Sequence, residues 1–148
     1  MRLSCPPEDA LRTFFPDRSE VLLAYLFGSY LTSTEGTFQD IDIAVYLLPH
    51  ALEELNRTTP YGYRAFLTVR LAHLLKYNAV DLMLLNTAPP LLQRRVIAGG
   101  RLVFCRSEMD RIRFEVAALR RYAETAHLRR IKRIHMKERI EKGLTAYA

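Results

Sequence analysis

Between Leu26 and Val45 the chain reads LFGSYLTSTEGTFQDIDIAV, and four of these residues are of types that handle phosphate. Gly28 has no side chain to hold a phosphate off the backbone, and Ser29 adds a hydroxyl and an N–H at the expected start of a short helix. Asp40 and Asp42 are two residues apart, which on a strand puts both carboxylates on one face. Neighbouring anions disfavour each other's ionised form unless a cation lies between them. Mg²⁺ suits that place, because it takes one or two carboxylates and completes its shell with water and substrate phosphate oxygens. A Gly-Ser turn beside an Asp-x-Asp pair therefore points to a site for a nucleoside triphosphate. A third acid, Asp81, lies in the apolar run AVDLMLL, where an unpaired carboxylate would be costly. If that run pairs with the strand carrying Asp40 and Asp42, three carboxylates converge. Two metal ions about 3.5–4 Å apart could then clamp the attacking and leaving oxygens of a phosphoryl transfer, with Asp81 taking the nucleophile's proton.

The elements that must hold these residues are legible from pattern. Val21 to Phe27 is a seven-residue apolar run ahead of the Gly-Ser pair and predicts a buried strand. Gln39 to Leu47 alternates, with Asp40, Asp42, Ala44 and Tyr46 on one side and Ile41, Ile43, Val45 and Leu47 on the other. The pattern predicts a strand with one face in a core and one presenting carboxylates. Ala79 to Leu85 and Arg101 to Cys105 predict two further strands. A helix is expected after Pro6-Pro7, stopped by Pro16-Asp17. A second runs from Tyr63 to Tyr77, with Leu67, Leu71, Leu74 and Leu75 at helical spacing and Asn78 as its end. A third covers Leu91 to Ala98, with Gly99-Gly100 as a left-handed stop. From Glu108 to Lys142 the pattern is helical, its stripe of Ile112, Val116, Leu119, Ala123 and Ala126 slipping afterwards into Ile131, Ile134 and Ile140. Mixed strands and helices with short connections mean an α/β or α+β class.

At 148 residues the chain has the length of one domain, expected to comprise a core over about 20–105 and a basic helical segment over about 106–148. The net charge of +6 is uneven: residues 1–105 hold ten basic and ten acidic side chains, so the whole excess lies beyond them. A segment so charged favours an acidic partner, either protein or nucleic acid. Sparse aromatic residues there favour protein. The two cysteines are too few for a disulfide framework, and His50, His73 and His127 have no companion ligands in sequence. No apolar run approaches the ~18–20 residues of a spanning helix. Glu8 and Asp9 fall where a signal peptide would be apolar, so the expected location is the cytoplasm.

Gly-Ser, an Asp-x-Asp ten residues on, and an Asp on a later strand resemble the polymerase-beta-like nucleotidyltransferase superfamily. Within it, the chain resembles the minimal nucleotidyltransferase antitoxins encoded with HEPN-domain ribonuclease toxins. The segment VDLMLLNTAPPLLQRRVIAGGRLVF over 80–104 strengthens the likeness, for that family continues from its third acid through a Leu-Asn turn into a short helix and a small strand. The resemblance implies a small mixed sheet flanked by helices, with a long C-terminal helical segment. It implies Mg²⁺ on Asp40, Asp42 and Asp81, the ATP triphosphate on Gly28 and Ser29, and AMP transfer to a tyrosine hydroxyl of a HEPN toxin partner, silencing it. Two positions depart from the family: Tyr30-Leu31-Thr32 stands where a small residue, Arg and Gly are common, and Gln39 where Ser is common. Arg64 or Arg94 would have to supply the missing Arg. The alternatives are an antitoxin that neutralises by contact alone, a transferase acting on a small-molecule hydroxyl, and an RNA-binding accessory domain.

Overall fold

The computed structural model describes residues 5–34, 36 and 38–146. Glu35 and Thr37, within the stretch that carries the Gly-Ser and Asp-x-Asp residues, lie outside the described residues, as does the start of the amino terminus. Four strands form one sheet: β1 (Val21–Phe27), β2 (Ile41–Leu47), β3 (Val80–Leu84) and β4 (Arg101–Cys105). Their order is β3-β2-β1-β4; β1 pairs antiparallel with β2 and with β4, while β2 and β3 run parallel. The seven α-helices among the described residues are α1 (Pro7–Phe14), α2 (Ser29–Thr32), α3 (Ala51–Thr58), α4 (Tyr63–Leu75), α5 (Pro90–Gly99), α6 (Glu108–Glu124) and α7 (Ala126–Thr145). Parallel neighbours need a long crossover, and α3 with α4 supplies the one between β2 and β3. The mixed α/β class, with a small mixed sheet flanked by helices, is as expected, and α3 is an element for which the pattern offered no prediction.

Helices cover both faces of the sheet. On one face α1, the 3-10 turn that follows it (Phe15–Asp17) and α4 bury Leu11, Phe15, Tyr63, Leu67 and Leu71 against Ile41, Ile43, Val45 and Leu82. On the other, Val96 of α5 with Phe114 and Ala118 of α6 packs on Leu23, Tyr25, Ala44 and Leu85. Each such large apolar side chain contributes about 1.5–3 kcal/mol on burial. The expectation of a β2 strand with one whole face open and presenting carboxylates is therefore corrected. Ala44 follows Asp42 on the same side of β2 and is wholly buried, so only the Asp42 end of that face is open. A β-bulge between Val21 and Leu23 lets Leu22 and Leu23 both enter the α5–α6 side, and every residue of β1 but Phe27 is buried.

Other boundaries shift for identifiable reasons. β2 starts at Ile41, so Gln39 and Asp40 precede it. Lys76, not Asn78, takes the left-handed conformation that ends α4 (φ 51°, ψ 40°). Gly100 is extended rather than left-handed; it is small because a Cβ there would stand 2.4 Å from the Val96 carbonyl oxygen. The C-terminal helical run breaks at Thr125, where the apolar stripe slips. Along α6 the stripe of Ile112, Val116 and Leu119 faces outward, and Phe114 and Ala118 are the buried pair. α7 buries none of its residues. No described helix is long and apolar enough to cross a membrane.

Candidate active site

The Gly-Ser turn closes β1 and opens α2. Gly28 has φ 76° and ψ −155°, a conformation essentially reserved for glycine. A Cβ at Gly28 would lie 2.0 Å from Oδ2 of Asp42, so the carboxylate occupies the space that a side chain would take. Gly28 and Ser29 are both exposed. Asp42 pairs across the antiparallel ladder with Phe27 and across the parallel ladder with Asp81. Parallel register thus sets the two acids side by side, the arrangement on which convergence depends. Asp40 lies just before β2, exposed, and its charge still bears on Asp42.

The carboxyl of Asp42 is pushed above the ordinary range by burial first, then by the charges of Asp81 and Asp40. Three acids thus act on one point, and their repulsion is incompletely relieved. Asp81 is not in an apolar interior: β3 is the sheet edge, and its side chain is 65% exposed. Arg64, in the first turn of α4, donates from Nε to the Leu82 carbonyl (2.7 Å) and from Nη2 to Asp81 Oδ1 (3.3 Å). Its backbone anchor fixes the guanidinium at the acids. Arg94, the other candidate for the missing Arg, instead stacks on the Tyr122 ring at 4.8 Å. Among the described residues no group of three or more His, Cys, Asp or Glu side chains stands assembled to hold a metal ion. The donor set is nevertheless that of a hard divalent cation needing one or two carboxylates, and the raised Asp42 carboxyl marks where positive charge is wanted.

The departure at Tyr30 has a structural use. Its hydroxyl donates to Glu8 Oε2 (3.2 Å), and Glu8 also pairs with Arg101 Nη1 (2.6 Å), tying α2 to α1 and β4. Burial, then the charge of Glu8, raises the Tyr30 phenol. The Tyr30 ring meets Phe38 edge-on at 5.1 Å, and Phe38 lies 5.6 Å from Tyr77. Tyr77 in turn donates its hydroxyl to the Gln39 carbonyl (2.7 Å), holding the chain next to Asp40. An aromatic row thus packs on the α1–α4 side of the sheet and braces the chain that leads into Asp40; its members are far apart in sequence, and no motif marks them. On the other side, Asn86 pairs its amide with both backbone groups of Leu47 (2.9 Å each), extending the β2–β3 register beyond the strand. The Leu-Asn turn keeps Asp81 opposite Asp42 by this means.

The family model described as Polymerase beta, Nucleotidyltransferase matches residues 9–109. Among solved structures, a toxin–antitoxin complex with AMP-PNP contains a chain 27% identical to this one (TM-score 0.66), over 87% of this chain and 98% of that chain. A toxin–antitoxin MntA–HpeT complex carrying two Asp-to-Glu substitutions matches at 26% identity and TM-score 0.66, with the same coverage. A tri-AMPylated HEPN toxin of Shewanella oneidensis in complex with an MNT antitoxin matches at 26% and 0.62, over 88% of this chain and 96% of that chain. No curated protein sequence is significantly similar. The likeness to MNT antitoxins is thus present in the fold as well as in the motif residues. The chain belongs to the polymerase beta nucleotidyltransferase family.

Proposed function

We propose that the chain is an antitoxin that transfers AMP from ATP to a tyrosine hydroxyl of a HEPN ribonuclease partner. One observation carries the reading: Asp42 lies against Gly28 and in register with Asp81, so the phosphate turn and the acids form one continuous site. The Gly28–Ser29 turn receives the triphosphate, which approaches the backbone where glycine leaves room. Asp40, Asp42 and Asp81 would hold Mg²⁺, which when bound offsets the charge of the triphosphate and of the acids. Asp81 accepts the proton of the attacking hydroxyl: Arg64 occupies Oδ1, and Oδ2 has no protein partner among the described residues. That a structural neighbour holds AMP-PNP, and another an AMPylated HEPN toxin, supports the choice of nucleotide and of acceptor.

The partner surface we assign to the C-terminal helices. α6 exposes Met109, Ile112, Val116 and Leu119, and α7 carries seven basic and two acidic side chains with none of its residues buried. Asp40→Ala with Asp42→Ala tests the function. Incubated with its HEPN partner and labelled ATP–Mg²⁺, the double variant is expected to lose AMP transfer while its circular dichroism stays that of the parent. Undiminished labelling would refute the site. Neutralisation that persists without labelling would instead favour an antitoxin acting by contact.

A further inference from the structure

Beyond the acids, on the free edge of β3, lies a pocket of about 260 Å³. Asp81 and Arg64 form its polar end; Met83, Pro89 and Leu92 supply apolar wall, and Thr87 sits at its rim. Its position separates it from the phosphate turn. Gly28 ends β1, Asp42 is on β2 and Asp81 on β3, so the pocket lies two strands from the turn, roughly 10 Å at the usual strand spacing, with the acids between. With the triphosphate assigned to Gly28, the acids lie between it and the pocket, so a group held in the pocket would meet the nucleotide from the Asp81 side.

We infer that this pocket is the acceptor subsite, and that it selects an aromatic hydroxyl by holding the ring against Met83, Pro89 and Leu92 with the oxygen at Asp81. The inference rests on the transferase reading above and names which of its surfaces chooses the substrate. A thioether beside an aromatic ring is a favourable contact, and a phenol joins an apolar body to a polar tip, as the pocket does. A short aliphatic hydroxyl would leave the apolar wall uncovered. In the transfer, the phenol oxygen bonds to the α-phosphorus of ATP as the bond from that phosphorus to the bridging oxygen breaks. Pyrophosphate leaves with the electron pair, and the phenolic proton passes to the Asp81 carboxylate. Arg64, held by the Leu82 carbonyl, keeps that carboxylate at the pocket's mouth.

Leu92→Arg and Thr87→Arg place a guanidinium in this space, and neither residue belongs to the apolar cores, so the fold is expected to survive both. Each variant is assayed, beside the parent, for AMP transfer to the HEPN partner by intact mass and for AMP-PNP affinity by calorimetry. Both Arg variants are expected to lose at least about tenfold in transfer with AMP-PNP affinity within about twofold of the parent. Transfer by Leu92→Arg and Thr87→Arg at the parent's rate would overturn the subsite. A parallel loss of AMP-PNP affinity would overturn it differently, by assigning the pocket to the nucleobase. No transfer by the parent protein itself would overturn the underlying transferase reading, and the subsite with it.

Discussion

Gly28→Ala is the substitution on which the geometry of the site can be tested most directly, because two separate costs meet there. The backbone conformation (φ 76°, ψ −155°) costs an L-residue about 1–3 kcal/mol. The added methyl meets Asp42 Oδ2 at 2.0 Å and Cγ at 2.9 Å, distances no pair of atoms keeps, so the carboxylate must move. Because these are atoms at the end of a half-buried side chain rather than of a closed core, displacing them adds about 1 kcal/mol, the low end of the overpacking range. The second cost depends on Asp42 and the first does not. In an Asp42→Ala background the clashing atoms are gone and only the Asp42 Cβ contact, at 3.2 Å, stays. Urea unfolding of the parent, both single variants and the double variant isolates the difference. Gly28→Ala should lower the midpoint by about 1 M or more in the parent and by roughly half as much beside Asp42→Ala, with unchanged slopes. Equal costs in the two backgrounds, within about 0.5 kcal/mol, would refute the contact between turn and carboxylate on which the phosphate site rests.

Two further outcomes follow from charge and hydrogen bonding. Because the folded state raises the Asp42 carboxyl, it binds more protons than the unfolded chain, so the penalty is absent in acid and grows as pH rises through the carboxylate range. Asp42→Asn should therefore stabilise the protein near neutral pH by about 1 kcal/mol, ~3 °C in Tm, at the low end of the Coulomb range because Asp81 is largely exposed and paired with Arg64. The gain should vanish in acid; thermal scans across pH would contradict this if Asp42→Asn were no more stable at neutral pH. Gln93, 3% exposed, donates from Nε2 to the Leu85 carbonyl (2.7 Å) and accepts from Arg121 (3.2 Å), joining α5 to the end of β3 and to α6. Gln93→Leu should cost about 1–3 kcal/mol in urea unfolding by leaving that carbonyl unpaired, and a loss below about 0.5 kcal/mol would show the bond to be dispensable.

All four strands and the chemistry-bearing residues were legible in the chain, because each is a local statement. An apolar run before Gly-Ser, alternation across Asp40 to Leu47, and an acid inside Ala79 to Leu85 are patterns of period two and of residue type, visible over seven to nine positions. What lay beyond them depended on partners distant in sequence. The outward stripe of α6 has the same helical spacing as a buried one; only the packing of Phe114 on Tyr46 at 4.4 Å decides which face turns in. Lys76 ends α4 where Asn78 was expected: in the left-handed conformation its N–H returns to the Ala72 and His73 carbonyls, closing the helix four residues ahead of β3.

The candidate site divides in the same way. Sequence alone determined which side chains carry charge and where the chain offers a Gly-Ser turn, since residue types at a few positions are enough for that. Tertiary structure decided that Asp42 and Asp81 are register neighbours, that Arg64 rather than Arg94 reaches Asp81, and that Tyr30, Phe38 and Tyr77 pack in one row beside the segment leading to Asp40. The reason is physical: strand order and register are set by the whole sheet's burial on both faces, a long-range sum that no local window contains.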